Sequence, residues 1–561
     1  GFFTSLSETL ENFGSIPEVF DGGCDCVCKY GNGKGCRLQA WNVGESLRSL
    51  SLLFSEDDSL DKDRVETASK IVYEMVIRDY YDAENHVPGL SIALQELPFL
   101  AESGVEYIYL LGLMKHNGNP FEIINPVDID QRTGGFADLD NFVSAAHAMG
   151  IKVIADWLAN QHVSKNSPIC TACPDWFLYT DAKDGDYFAD MGMKLCAGRD
   201  MQTNERNLVL VSATDEVPLR SFPRRWSLLA QPDLSHPEVK TNALEIGRFW
   251  LSKGLDGFRI DAALSTFPDK IKENWGISVD DNLTRLFIED MRRIKPDCFI
   301  MFEGFERLEG LLQLADYENC ATYNWQPRNL ATDALRDPAR LSTLIAYLKE
   351  LEHTQHIQDE MVNLGPEHDA FDFEDPWARL DDTERLLLYF LYVFMPGYML
   401  VFNGQIFGKQ HAYKKQIEKT LPAPRVTDAG KVERETGKRL FGLRKEYPQL
   451  IRGYYMFLEN GGQDVINLAR FDESAIVIGV INTSPDEKEV VLSLSNIINR
   501  YLKPSDIEHA HYTQDVLLLK NKAVGWMSET RDNISAEKLL WEGLHVRITP
   551  KSCQVIRLRL N

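Results

Sequence analysis

Eight short apolar runs, each separated from the next by a segment with helical periodicity, constrain this chain more than any other feature. The runs are Ile71–Ile77, Val105–Leu111, Ile151–Asp156, Leu255–Asp261, Cys298–Glu303, Thr322–Trp325, Met361–Leu364 and Tyr398–Phe402. Between them, Phe136, Leu139, Phe142, Val143, Ala146 and Met149 recur at helical spacing, and Gly150 closes that helix. Ser235 and Glu238 read as a capping box ahead of a helix over Val239–Lys253. Parallel strands need crossover helices on one side, so eight such alternations predict an α/β fold, a (β/α)8 TIM barrel.

The connection after the third strand is unusually long. About 80 residues lie between Asp156 and Ser235, with Trp176, Phe177 and Asp184–Asp186 among them, and a connection of that size predicts an inserted subdomain. After about residue 448 the alternation stops. Val465–Phe471, Ala475–Asn482, Glu489–Leu494, Leu544–Thr549 and Gln554–Leu560 read as antiparallel strands, the last two as a hairpin around Thr549–Ser552. The expected division is a cysteine-containing extension over 1–65, a barrel over 66–162 and 231–447, an insertion over 163–230 and a C-terminal β-sandwich over 448–561.

Charge narrows the partners. Lys and Arg number 60 against 84 Asp and Glu, a formal charge of −24, which argues against nucleic acid or an anionic membrane surface as the main partner. The longest apolar stretch, around Leu386–Val401, is interrupted by Pro396 and Gly397, so no membrane span is expected. The first residue is Gly1 rather than Met, which says little about targeting. Cysteines cluster at Cys24, Cys26, Cys28 and Cys36 and again at Cys170, Cys173 and Cys196. Local disulfides and thiolate metal ligation compete as readings, and the lack of two paired C-x2-C units favours disulfides. Cys298, Cys320 and Cys553 sit in apolar runs and read as buried small hydrophobes.

A parallel barrel carries its active site at the carboxyl ends of its strands. Strand three ends in Asp156-Trp157-Leu158-Ala159-Asn160-Gln161-His162, and strand four in Gly257-Phe258-Arg259-Ile260-Asp261. Strand five ends in Met301-Phe302-Glu303-Gly304, and strand seven is followed by Glu367-His368-Asp369. One acid after one strand would be an ordinary cap; acids after four strands point to a shared pocket.

These segments resemble the four signature regions of the α-amylase superfamily, the glycoside hydrolase 13 type. Gly257–Ala262, reading GFRIDA, is the most specific match, with Asp156–Asn160, Glu303 and His368-Asp369 in the family's order. Met395–Gly408 resembles the family's eighth strand and following turn, and Pro232–Val239 its approach to helix three. The resemblance covers residues 70–561, including the insertion as the family's domain B; residues 1–65 have no counterpart in it.

The resemblance implies a retaining glycosidase, which needs one carboxylate as nucleophile and one carboxylic acid as proton donor. It makes Asp261 the nucleophile, Glu303 the general acid/base and Asp369 the third acid, gripping and distorting the sugar ring. Arg259, on the same strand face as Asp261, would keep that aspartate ionised, and repulsion from Asp261 and Asp369 would raise Glu303. His368 would hydrogen-bond the same sugar, with Asp156, Gln161, His162, Phe121 and Ser265 as further substrate-binding positions. The chain departs from the family at several of these. Gln161 stands where His usually follows the Asn, Glu367 replaces a frequent Asn, and Leu264 and Ser265 replace common Lys and His. Phe121 replaces a stacking Tyr, keeping the apolar face that packs on a pyranose ring and losing the hydroxyl; simple core packing is the alternative reading of it. Trp157, Trp176, Phe177, Tyr179 and Trp226 are further aromatic candidates for sugar platforms, and for these core packing is the plainer reading.

The leading expectation is hydrolysis of α-1,4-glucan or maltooligosaccharide through a glycosyl–Asp261 intermediate. Transglycosylation or trehalose- or sucrose-type chemistry is the alternative within the superfamily, and a non-catalytic carbohydrate-binding barrel the alternative of another class. No cofactor is required. Asn160 and Asp233 match positions that hold a structural Ca2+ in many α-amylases, while many relatives lack that ion. Clustered cysteines and a polymeric glucan substrate favour a secreted or periplasmic protein.

Overall fold

The strands that build the centre of this protein are apolar along their whole length because a parallel barrel strand is covered on both faces. The computed structural model describes residues 68–158, 229–354, 380–405, 428–460, 465–519 and 526–561, with shorter pieces at 163–164, 166–177, 193–199, 206–212, 356–365, 367–368, 409–410 and 425–426. In it β1 (Ile71–Val76), β2 (Tyr107–Leu111), β3 (Lys152–Trp157), β4 (Gly257–Ile260), β5 (Phe299–Phe302), β6 (Cys320–Asn324), β7 (Met361–Leu364) and β8 (Tyr398–Phe402) close into one barrel. Every neighbouring pair is parallel, and β8 returns to β1 through Ile71↔Met399 to Glu74↔Phe402. The eight expected strands and the barrel they form are therefore present. Gly150, in the left-handed region at φ +75°, ends the helix Phe136–Ala148 as expected.

The floor of the barrel is tied by one cation. Arg444, at the end of the helix Asp428–Glu446 and 1% exposed, donates to the carbonyls of Ser69, Lys70, Tyr392, Val393, Met395 and Gly397. Three of these, Tyr392, Val393 and Met395, are at or just past the end of the helix Asp382–Phe394, whose last carbonyls have no partner within the helix. Burial pushes the guanidinium down to about 9, with Arg470 adding repulsion.

The stretch after β3 does not stand alone. Val163–Ser164 and Leu229–Ala230 join Met114–His116 and Ile123–Ile129 in one four-stranded sheet, so half of that sheet comes from the segment that follows β2. A hairpin of Met193–Arg199 and Arg206–Ser212 lies within the insertion. The capping box does not form: the helix is Pro237–Ser252, its N-cap is His236 accepting from the Glu238 backbone N–H, and Ser235 bonds Asp233 instead. Pro237 takes the first helical position, where its missing N–H leaves no bond unmade, and this moves the cap one residue along.

At the C-terminus β9 (Tyr454–Phe457), β10 (Val465–Phe471), β11 (Ala475–Asn482), β12 (His511–Leu519), β13 (Trp526–Ser535) and β14 (Ser552–Leu560) form a six-stranded sheet in the order 9-10-11-14-12-13. The expected hairpin at Thr549–Ser552 is absent. Leu544–Ile548 pairs with Lys488–Leu492 in a second sheet, while β14 pairs with β11 and β12. The Asn482 side chain donates to the Thr549 carbonyl at 2.9 Å where the chain crosses between sheets. Residues on both faces of β11 are buried, because Val477 and Ile481 join the barrel's core and Ile476, Ile478 and Val480 join a second core. Cys298, Cys320 and Cys553 are buried as expected; Cys170 and Cys173 are half-buried free thiols, so the favoured disulfide reading does not hold for them. Cys24, Cys26, Cys28 and Cys36 lie outside the residues described, and Cys196 lies on the strand Met193–Arg199.

Candidate active site

The carboxyl ends of β3, β4 and β5 meet at Arg259. Register sets this directly: Arg259 on β4 pairs with Asp156 on β3 and with Met301 on β5, two residues short of Glu303. Arg259 is wholly buried. Its Nη1 lies 2.9 Å from Asp156 Oδ1 and also donates to Asp261 Oδ1, and Nη2 stands 3.2 Å from Glu303 Oε2 as an ion pair rather than an aligned hydrogen bond. The rings of Tyr109, Phe121 and Tyr323 surround the same guanidinium, with centroids 5.6–5.9 Å away. Burial works against this charge, yet Glu303, Tyr109, Asp261 and Tyr323 together hold the group well above its ordinary range.

Asp261 and Glu303 are thus brought together, each at the first position past its strand. Ala262 follows in the left-handed region, φ +42°, and its N–H donates to Glu303 Oε2 at 2.7 Å. Asp156 sits deeper. Both its oxygens accept from Tyr109 Oη at 2.8 Å, so it braces Arg259 and Tyr109 from below. Burial pushes the Asp156 carboxyl up to about 6, with Asp261 adding to the rise while Arg259 and Tyr109 oppose it.

His368 reaches the same pocket from beyond β7. It is 1% exposed, its Nδ1 lies 2.5 Å from Glu74 Oε1 and 3.4 Å from Glu367 Oε2, and its ring stacks on Phe121 at 5.3 Å. One face of Phe121 therefore covers a histidine, and the residue belongs to the barrel's core. Glu367 is held in turn by Arg328 at 2.7 Å. Arg328 lies over Trp325, which stacks on the exposed Phe305. Ser265 sits on the short turn Ala263–Thr266 after β4. Asp369, Asn160, Gln161 and His162 lie outside the described residues. So do Tyr179 and Trp226. Trp157 is wholly buried, stacked on Phe287 with its Nε1 bonded to the Ala243 carbonyl, and serves the core rather than a sugar platform.

Glu74 and Tyr109 were not singled out from the sequence. Both are polar groups inside apolar runs, Ile71–Ile77 and Val105–Leu111, and attention to run ends alone passes over them. Among the described residues no cluster of three or more His, Cys, Asp or Glu side chains is arranged to hold a metal. Asp233 Oδ1 accepts from both the N–H and the Oγ of Ser235.

The sequence matches the family described as the α-amylase catalytic domain over residues 84–436. The chain belongs to this family of glycoside hydrolases. It is 22% identical over 358 residues to α-amylase 3 of Dictyoglomus thermophilum, covering 61% of this chain and 64% of that one. It is 29% identical over 257 residues to a trehalose synthase/amylase of Mycobacterium tuberculosis, covering 41% of this chain and 37% of that one. The chain thus spans less than two thirds of the length of these relatives. In structure it is similar to a maltogenic α-amylase from Thermotoga neapolitana, with a TM-score of 0.61 at 16% identity over 88% of this chain and 99% of that one.

Proposed function

We propose that the protein is a retaining hydrolase of α-glucosidic bonds, acting on α-1,4-glucan or maltooligosaccharide. The observation that carries this reading is one buried guanidinium holding two carboxylates, Asp261 and Glu303, at adjacent strand ends. Asp261 attacks the anomeric carbon while Glu303 gives its proton to the departing glycosidic oxygen, leaving a glycosyl–Asp261 ester. Water then attacks the same carbon, Glu303 takes its proton, and Asp261 leaves. Asp369 grips the ring hydroxyls in this scheme. Asp261→Asn keeps the shape and removes the nucleophile, so sugar release from starch-like substrates should stop; unchanged turnover overturns the reading.

Transfer to a sugar instead of water is the second reading, supported by the similarity to a protein named trehalose synthase/amylase. Products from starch, pullulan, maltose, trehalose and sucrose, with a labelled acceptor sugar, separate the two. A structural calcium at Asn160 and Asp233 belongs to the proposal; a fall in Tm with EDTA, restored by calcium, would support it. An exported location also belongs to it, and mass measurement with and without reductant tests for the disulfides that location would favour.

A further inference from the structure

A guanidinium carries five N–H donors, yet both aligned hydrogen bonds that Arg259 makes among the described residues leave from one nitrogen. Nη1 donates to Asp156 Oδ1 at 2.9 Å and to Asp261 Oδ1, while Nε and Nη2 are buried with no hydrogen-bond partner among the described residues. We propose that Tyr109 is a positioning residue: its hydroxyl fixes Asp156, and Asp156 in turn fixes the Nη1 end of Arg259 against which Asp261 is set. This deepens the hydrolase reading above and rests on it.

Three successive strands build this brace. Tyr109 on β2 pairs with Ile154 on β3, two residues before Asp156, so Tyr109 and Asp156 leave the same face of the sheet. Asp156 then pairs with Arg259 on β4. Tyr109 Oη stands 2.8 Å from each Asp156 oxygen, and Arg259 Cζ lies 5.9 Å from the centre of the Tyr109 ring. One residue thus meets both members of the ion pair, the carboxylate with its O–H and the cation with its ring face. A carboxylate turns easily about its last torsion, and an O–H shared between both oxygens opposes that turn. Burial raises the Tyr109 phenol, with Arg259 opposing and Asp156 adding to the rise, so the hydroxyl stays a donor. Without that O–H, Asp156 is free to rotate and Nη1 loses the fixed partner on one of its two sides. The Asp261 carboxylate bonded to the other side then shifts with it. Tyr109 is wholly buried beneath the carboxylates, so it acts without touching the sugar.

Tyr109→Phe, Asp156→Ala and the double variant, each in the full chain, test this on a chromogenic maltooligosaccharide, with Tm read alongside. Misplacing a reacting group by about 1 Å costs on the order of 10²-fold, so the loosened brace in Tyr109→Phe should lower kcat about tenfold or more. KM should stay within about twofold, because the sugar never meets Tyr109. Asp156→Ala should lose at least as much kcat. Adding Tyr109→Phe to it should change neither kcat nor Tm further, since the hydroxyl then has nothing to hold. A residue that only packs would leave kcat in place, or add its own Tm loss to that of Asp156→Ala. Unchanged kcat in Tyr109→Phe overturns the proposal, and so do losses that combine in full in the double variant. Unchanged kcat in Asp156→Ala overturns it even if Tyr109→Phe fails to fold. In a chain with no glycosidase activity, Tm losses that do not add would retain the brace and remove the hydrolase reading, while additive losses would remove the brace itself.

Discussion

The backbone N–H of Ala262 donates to Glu303 Oε2 at 2.7 Å, so the residue after the proposed nucleophile holds the proposed acid. Ala262 reaches that oxygen because it lies in the left-handed region, φ +42° and ψ 50°, which disfavours any side chain by roughly 1–2 kcal/mol. Ala262→Gly removes that strain but adds freedom to the unfolded chain, so stability should stay level or rise by up to about 1 kcal/mol. Ala262→Val should lower it by more than about 1 kcal/mol and reduce kcat, because a β-branched residue resists this conformation. Urea unfolding of both variants checks the order.

Arg259 holds three carboxylates, and its planar fork is what reaches them. Arg259→Lys keeps the charge on a single ammonium, leaving at least one buried carboxylate unpaired. The expected result is a loss of roughly 3 kcal/mol or more in stability and a fall in kcat/KM of about 10²-fold or more. Wild-type Tm and kinetics in this variant would show that the fork is not needed.

Two buried groups tilt the pH dependence of stability in opposite directions. Asp156 gives up its proton near 6 in the fold against an ordinary 3.8, so between these values the unfolded chain binds fewer protons and stability falls as pH rises. That difference corresponds to roughly 3 kcal/mol at neutral pH. His116 is buried and its pKa lowered to about 4 from 6.5, mainly by burial, so stability is lost as pH falls through that window. Unfolding free energies at pH 4, 5, 6 and 7 should show a steeper rise with pH in Asp156→Asn and a flatter one in His116→Gln. Parallel curves in all three proteins would refute both assignments.

A Cβ on Gly479 would stand 2.7 Å from the Phe394 ring, so β11 meets the helix Asp382–Phe394 only because that position has no side chain. Gly479→Ala should destabilise by about 1–3 kcal/mol through overpacking. Pairing it with Phe394→Leu should recover part of the loss, and a double-mutant cycle by thermal unfolding measures the coupling.

The barrel and the placing of Asp156, Arg259, Asp261 and Glu303 at its rim were legible in the amino-acid order. A strand covered on both faces must be apolar throughout, so its boundaries show, and an acid that ends such a run stands out against it. The partners of those groups were not legible. Glu74 meets His368 across most of the barrel's sequence, and Arg444 finds six carbonyls in two distant stretches of chain, 69–70 and 392–397, because barrel closure rather than local periodicity brings them within reach. The same reason explains the hairpin that did not form: the sequence marks Leu544–Thr549 and Gln554–Leu560 as strands, but which sheet each joins depends on the two apolar cores available to cover it. Local pattern determined the elements and the acids; packing over long distances decided which side chain holds which.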